Sequence, residues 1–289
     1  MKVGVRGAAR CSYGSWLQKG LVEMSTTDKS QIDLVKEEYR DPKGYAKSYE
    51  GISPDAHFFN MRLKRVSELI PELSGGKVLD VGCGPGLISA AIIGKGADYY
   101  GVDVSSQMVE ECIRRYGQGG RYMFSEGRGE ELPFIDSYFD LVLCLGALEY
   151  MQDVETVIKE LSRVVKKNGY VIVSMLNKKS PYRIWELVVF PSVKKAIHEL
   201  KMIGKGVKKN TRPQKLEMRL LGEDKLRHLL NSEGLDVQDV VYYDFNIFLS
   251  PLDYKLPNLS VQISRKLEFL YRSRLKKLGT AYLLKCVKK

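Results

Sequence analysis

From Val78 to Met175, five short apolar runs (Val78–Val81, Tyr99–Val104, Tyr122–Phe124, Phe139–Leu145 and Tyr170–Met175) alternate with stretches of helical spacing at Leu87–Ile93, Met108–Tyr116 and Val154–Val165. Short runs that are apolar throughout suit strands buried on both faces, and strands separated by helices return in parallel. A layered α/β domain with a parallel sheet and right-handed crossovers is the expectation. The last third adds a predicted helix over Glu223–Asn231 and strands over Val237–Tyr243 and Tyr282–Val287. Upstream, Phe58, Met61, Leu63, Val66, Leu69 and Ile70 predict a helix over 55–71 capped by Asp55. No apolar stretch approaches the roughly 20 residues of a membrane-spanning helix.

The run Val78-Leu79-Asp80-Val81-Gly82-Cys83-Gly84-Pro85-Gly86 leaves the first strand, turns on glycines and enters a helix. Such a loop lets backbone approach a ligand closely. A dinucleotide fingerprint would need glycine at 87, where Leu87 stands, and a Walker loop is absent. Asp103 ends the second strand, where a carboxylate can accept both hydroxyls of a ribose. Cys11, Cys83, Cys112, Cys144 and Cys286 form neither a disulfide framework nor a CxxC pattern, which points to a reducing, cytoplasmic setting. With only His57, His198 and His228 beside them, no zinc-type ligand spacing arises and no metal is expected.

These residues resemble the class I S-adenosylmethionine-dependent methyltransferases, in particular the broad small-molecule group that includes quinone-biosynthesis enzymes. The resemblance covers residues 75–177. It is carried by the Asp80–Gly86 loop, Asp103, Glu130-Glu131-Leu132-Pro133-Phe134 followed by Phe139-Asp140-Leu141-Val142, and the helix-turn-strand from Leu161 to Met175. It implies a Rossmann-like sheet of seven strands with strand seven antiparallel, and helical caps inserted at about 178–222 and 245–278. Residues 31–74 would form an N-terminal helical lid and residues 1–30 a disordered tail; the glycines of the tail argue against the amphipathic helix of a transit peptide.

Further implications concern the cofactor, S-adenosylmethionine, with S-adenosylhomocysteine as product. Tyr45, Asp80, Gly82, Cys83, Gly84, Asp103, Val104, Met108, Arg128, Gly129 and Leu145 would form its site. Asp80 would order the loop and the methionine amine, backbone at Gly82 and Gly84 would face the cofactor, Asp103 would hold ribose and Met108 would pack on adenine. Arg128 stands where such proteins commonly carry an acidic residue for the adenine amine, and arginine cannot accept a hydrogen bond. Adenine would then be read by backbone at Arg128 and Gly129, with Glu126 the nearest upstream carboxylate.

The end of strand four, Leu145-Gly146-Ala147-Leu148-Glu149-Tyr150, lacks the Asn/Asp-Pro-Pro-aromatic and Pro-Cys signatures of nucleic-acid methyltransferases. A small-molecule or lipid-linked acceptor, methylated at oxygen, is the leading expectation. N-methylation, RNA methylation and a non-catalytic binding protein of the same fold are the alternatives. For a hydroxyl acceptor the predicted proton acceptors are His57, at the start of the first helix, and Glu149, beside strand four.

Charge sharpens the view of the caps. Of the net charge of +11, residues 178–215 hold eleven Lys/Arg against Glu186 and Glu199, and residues 265–289 hold nine against Glu268, so the remaining chain is mildly acidic. The first cap combines Trp185, Leu187, Val188, Val189 and Phe190 with Lys194, Lys195, Lys201, Lys205, Lys208 and Lys209. The second sets Leu259, Ile263, Leu267 and Leu270 among Arg265, Arg272 and Arg274. Such basic amphipathic segments either pack their apolar faces on the catalytic domain or lie on anionic membrane. An anionic acceptor and peripheral membrane contact are the expected partners; nucleic acid is not.

Overall fold

The computed structural model describes residues 30–193 and 216–289. Seven strands form one sheet in the order β3-β2-β1-β4-β5-β7-β6. They are β1 (Lys77–Val81), β2 (Asp98–Asp103), β3 (Tyr122–Glu126), β4 (Phe139–Cys144), β5 (Val165–Leu176), β6 (Leu235–Tyr243) and β7 (Ala281–Lys288). The first five are parallel, and β7 runs antiparallel between β5 and β6. The central strands are buried on both faces: Val78, Leu79, Leu141, Val142, Leu143 and Cys144 are fully enclosed. Their unbroken apolar runs are what such a position requires.

Because β2 and β4 flank β1 on opposite sides, the chain reverses its direction of travel across the sheet at β1. A crevice therefore opens beyond the carboxyl ends of β1 and β4, the place where open α/β sheets bind ligands. Helix α5 (Ser106–Tyr116) starts at Ser105, whose side chain caps Met108 N, and lays Met108, Val109 and Cys112 against the sheet. Helix α6 (Val154–Val164) is capped by Asp153 and buries Val157, Ile158, Leu161 and Val164. Both sites obey the preference for a short polar side chain that satisfies first-turn amides.

Three differences from the predicted elements have local causes. The upstream helix, α3, spans Pro54–Leu69 and is capped by Ser53, not Asp55; Asp55 lies in its first turn and accepts a hydrogen bond from Tyr254 Oη at 2.8 Å. Proline at the first helical position and a serine before it define the start better than the following aspartate. Strand β5 begins at Val165, which pairs with Phe139 across an irregularity in the ladder, and Asn168 takes a left-handed φ of 62° just before Gly169. In the second cap the helix runs Pro257–Leu267 and then tightens into a 3-10 turn, Glu268–Arg272, that carries Leu270.

Two shorter helices, α1 (Gln31–Glu38) and α2 (Pro42–Lys47), precede α3 in the predicted lid. The first cap opens with α7 (Pro181–Ile184), continued by a wider turn over Trp185–Val189. The tail and the lysines at 194, 195, 201, 205, 208 and 209 lie outside the described residues. Among the described residues no helix is long and apolar enough to cross a membrane.

Candidate active site

The loop after β1 has a backbone that demands glycine. Gly82, Gly84 and Gly86 have φ of 72°, 52° and 70°. At Gly82 a Cβ would also collide with the Ala147 side chain from the loop after β4. The amides of Gly82 and Cys83 both donate to Val102 O, at 2.7 and 3.1 Å, and so tie the loop to β2. Gly84 N then donates to Asp103 Oδ2 at 2.8 Å, and Ser105 N to Asp103 Oδ1 at 2.9 Å. Each Asp103 oxygen is thus fixed by one backbone donor and keeps acceptor capacity for a ligand. Burial pushes the Asp103 carboxyl up from its usual range, against the pull of those backbone bonds.

Asp80, on β1, is 3% exposed. Its Oδ2 accepts from Tyr99 Oη at 2.7 Å, while Oδ1 has no hydrogen-bond partner among the described residues. Burial pushes this carboxyl up to about 6, with the Tyr99 hydrogen bond and the nearby Arg62 charge opposing the rise. A buried acceptor left without a donor costs about 1–3 kcal/mol, a deficit that a cationic ligand would remove.

The opposite wall is aromatic. Tyr39 meets Tyr45 and Tyr150 edge-on at 5.4 and 5.8 Å between ring centroids, and Tyr49 stacks on Phe59 at 4.5 Å. Tyr45 lies over the glycine loop, its Cε1 3.6 Å from where a Cβ on Gly84 would stand. The lid is pinned to the domain by polar links: Gln31 Nε2 donates to Tyr150 O and Glu217 O, and Lys36 pairs with Glu126 at 2.9 Å. Glu126, the nearest carboxylate upstream of Arg128, is therefore engaged with the lid.

One feature of this wall escaped the sequence reading. Arg62, on α3 and only 3% exposed, lines the same cleft as Asp80. It donates to Tyr49 Oη at 2.8 Å, lies 5.4 Å from the Phe59 ring centroid, and packs so closely on Gly146 that any Cβ there would meet the guanidinium. A signal was present: Arg62 follows Phe58 by four residues and precedes Val66 by four, so it occupies the apolar stripe of the helix. An arginine kept inside a core needs polar or anionic company.

All eleven residues expected at the cofactor site line one cleft of about 1110 Å³, its open mouth included: Tyr45, Asp80, Gly82, Cys83, Gly84, Asp103, Val104, Met108, Arg128, Gly129 and Leu145. Arg62, Tyr39, Tyr49, Tyr150 and Glu130 join them. Gly127 N donates to Asp103 O at 3.0 Å, which brings the 127–130 loop beside β2. The Arg128 side chain turns toward Glu130, with Nε 3.6 Å from Oε2, and Gly127, Arg128, Gly129 and Glu130 all line the cleft.

His57 and Glu149 do not line the cleft. His57 is buried beneath the caps, with Nε2 3.8 Å from both Asp244 Oδ1 and Glu268 Oε1, and burial lowers its pKa. Glu149 is 1% exposed, its Oε2 has no hydrogen-bond partner among the described residues, and burial pushes its carboxyl up to about 6. Among the described residues no group of three or more His, Cys, Asp or Glu side chains is arranged to hold a metal ion.

Fold and cleft together define a class, and comparison with known proteins agrees. Residues 79–173 match the family model described as a methyltransferase domain. The chain thus carries a methyltransferase domain on the seven-stranded fold of the class I S-adenosylmethionine-dependent methyltransferases. It is similar to the ubiquinone biosynthesis O-methyltransferase of Pseudomonas entomophila, 29% identical over 248 residues that cover 81% of this chain and 94% of that one. The protein of the same name from Pasteurella multocida is 26% identical over 243 residues, 77% and 90% of the two chains. In fold it resembles the methyltransferase solved in complex with the Haloferax volcanii Trm112 methyltransferase activator, with a TM-score of 0.60 at 18% identity, covering 91% of this chain and 99% of that one. Magnesium protoporphyrin IX methyltransferase from Synechocystis PCC 6803, with bound S-adenosylhomocysteine, gives 0.57 at 17% identity over 90% and 100%.

Proposed function

We propose that this protein transfers the methyl group of S-adenosylmethionine to an oxygen of a small-molecule or lipid-linked acceptor by in-line displacement. The observation that carries the reading is the pairing, in one cleft, of a preorganised Asp103 with an Asp80 whose inner oxygen has no donor. When bound, S-adenosylmethionine supplies an electrophilic methyl on a sulfonium. Asp103 accepts the two ribose hydroxyls. Asp80 Oδ1 takes the methionine ammonium, and Arg62, the buried cation lining the same cleft, takes its carboxylate. Met108, Val104 and the backbone of Arg128 and Gly129 flank the adenine. The relatives' name, ubiquinone biosynthesis O-methyltransferase, supports oxygen over nitrogen as the acceptor atom.

The chemical step asks the protein mainly to align a nucleophile about 3 Å from the methyl and to keep water out. Tyr39, Tyr45, Tyr49 and Tyr150 supply the dry wall. Of the two predicted proton acceptors, Glu149 is the better placed. It belongs to the loop after β4 whose Leu145, Gly146 and Ala147 line the cleft, whereas His57 faces Asp244 and Glu268. Titration of S-adenosylmethionine and S-adenosylhomocysteine by calorimetry tests the cofactor site. Asp103→Ala is expected to weaken both by about a hundredfold or more, since it removes two charge-assisted hydrogen bonds. Unchanged affinity in a folded Asp103→Ala protein would refute this site. Transfer of labelled methyl to phenols, but not to amines, tests the acceptor atom.

A further inference from the structure

The two caps are built inside out. In the segment Pro181–Phe190, Arg183 and Glu186 are each 4% exposed and paired with one another, whereas Ile184, Leu187 and Val188 face solvent. In the second cap Asp253 and Glu268 are buried, Asp253 accepting from Tyr182 Oη at 2.7 Å and Glu268 from Arg65 at 3.0 Å, whereas Leu252, Leu256 and Leu259 face outward. Trp185 Nε1 donates to Ser250 O at 2.7 Å, so the two segments are stitched together side by side. Of the sixteen large hydrophobic residues exposed among the described residues, thirteen lie between 184 and 193 or between 247 and 278, which makes this a patch and not scatter.

Among the described residues of the two segments, exposed charge has one sign. Within residues 177–193 and 245–289 the acidic residues are Glu186, Asp253 and Glu268, and all three are buried. Lys178, Lys255, Arg265, Lys266, Arg272 and Arg274 are exposed. A second copy of the chain meeting this face by twofold symmetry would set cations against cations. An apolar face whose own exposed charges, among the described residues of the two segments, are all cations complements a bilayer that carries anionic headgroups, where each cation near the surface strengthens attachment and exposed leucines enter the headgroup boundary.

We propose that the paired caps form a docking surface for anionic membrane. Flotation of the full chain with vesicles of phosphatidylcholine alone, and with added phosphatidylglycerol, tests it. Binding to the anionic vesicles only, weakened by salt, is expected. Lys255→Glu with Lys266→Glu should lower partitioning by at least about twenty-fold, taking about five-fold per cation, and Val188→Asp with Leu259→Asp should reduce it comparably. Binding of S-adenosylhomocysteine should be unchanged in both variants, because none of the four residues lines the cleft, and this readout separates failure of the surface from failure of the cofactor site. No flotation with anionic vesicles at low salt would overturn the proposal, as would flotation unaffected by either double substitution. A chain that self-associates through this face, and becomes monomeric with Val188→Asp and Leu259→Asp, would overturn it too.

Discussion

Around β1 and β2 stand a buried carboxylate, Asp80, and a half-buried one, Asp103, and their partners are a tyrosine hydroxyl and backbone amides. Beneath the caps, Asp55, Asp244, Asp253, Glu186 and Glu268 crowd together with Arg65, Arg183 and His57, joined by Tyr182, Tyr254 and Thr280. The first arrangement leaves acceptor capacity unused and is thereby prepared for a ligand. The second pairs most of its charges internally, with Arg65 gripping Glu268 and Asp244 N donating to the same carboxyl at 3.0 Å, while Glu186 Oε1 and His57 Nε2 make no hydrogen bond among the described residues. One region is held ready by backbone geometry, the other is held shut by side-chain pairs. The difference teaches that unsatisfied capacity on a buried polar group marks a binding site only where a cleft reaches it: Asp80 and Asp103 line the cleft, whereas Glu186 and His57 do not.

Breaking the closed cluster should have the largest effect. Arg65→Met removes the partner of Glu268 and leaves a buried carboxylate uncompensated, so thermal or denaturant unfolding should show a loss of about 3–5 kcal/mol. A loss below about 1 kcal/mol would show that the cap region is not held by this pair. Cofactor binding, measured on the folded fraction, should change far less.

Proton linkage offers the next test. Burial and the nearby Asp244 push the Glu268 carboxyl up to about 7, with Arg65 opposing, against an ordinary value of 4.5. A group that holds its proton more tightly when folded contributes stability fully below its unfolded pKa and loses it as pH rises through the folded value. Stability should therefore decline between about pH 4.5 and 7 by an amount on the order of 3 kcal/mol from this group. His57, whose pKa is lowered by burial, acts in the opposite sense and loses its contribution as pH falls below its ordinary 6.5. Melting temperatures across this range should fall less steeply for Glu268→Gln than for wild type; parallel profiles would remove Glu268 as the linked group.

The smallest effect belongs to the open site. Tyr99→Phe deletes the hydroxyl that satisfies Asp80 Oδ2 and should cost about 1–3 kcal/mol. It should raise the Asp80 pKa further and so weaken S-adenosylmethionine binding below about pH 7, with recovery at higher pH as the carboxylate ionises. Affinity independent of pH in this variant would mean that Asp80 does not meet the cofactor's ammonium. Together the three substitutions ask whether the two buried polar regions are as separate as their hydrogen bonds make them.

Much of the half of the sheet that holds the glycine loop was legible in the sequence because its signals are local. A strand, a glycine-bearing turn and a carboxylate at the end of the next strand follow from backbone periodicity and from positive φ at Gly82 and Gly84, and all eleven residues expected there line the cleft. Arg62 was missed because a charged residue on an apolar stripe means little until its neighbours are known, and those come from Tyr49 and Gly146. His57 looked like a site residue by type and position, yet its surroundings are set by Asp244 and Glu268, about two hundred residues along the chain. For the apolar residues of the first cap the sequence left inward packing and outward exposure open; Leu187 and Val188 face out while Glu186 faces in.

The sequence by itself determined the alternation of strands and helices, the turn after β1 and the acidic end of β2, because each depends on residues adjacent in the chain. Only the tertiary structure decided which buried charges stay open to a ligand and which neutralise one another. That outcome depends on contacts between α3, the loop after β4 and the two caps, and the cost of burying a charge is fixed by the partners the fold brings to it.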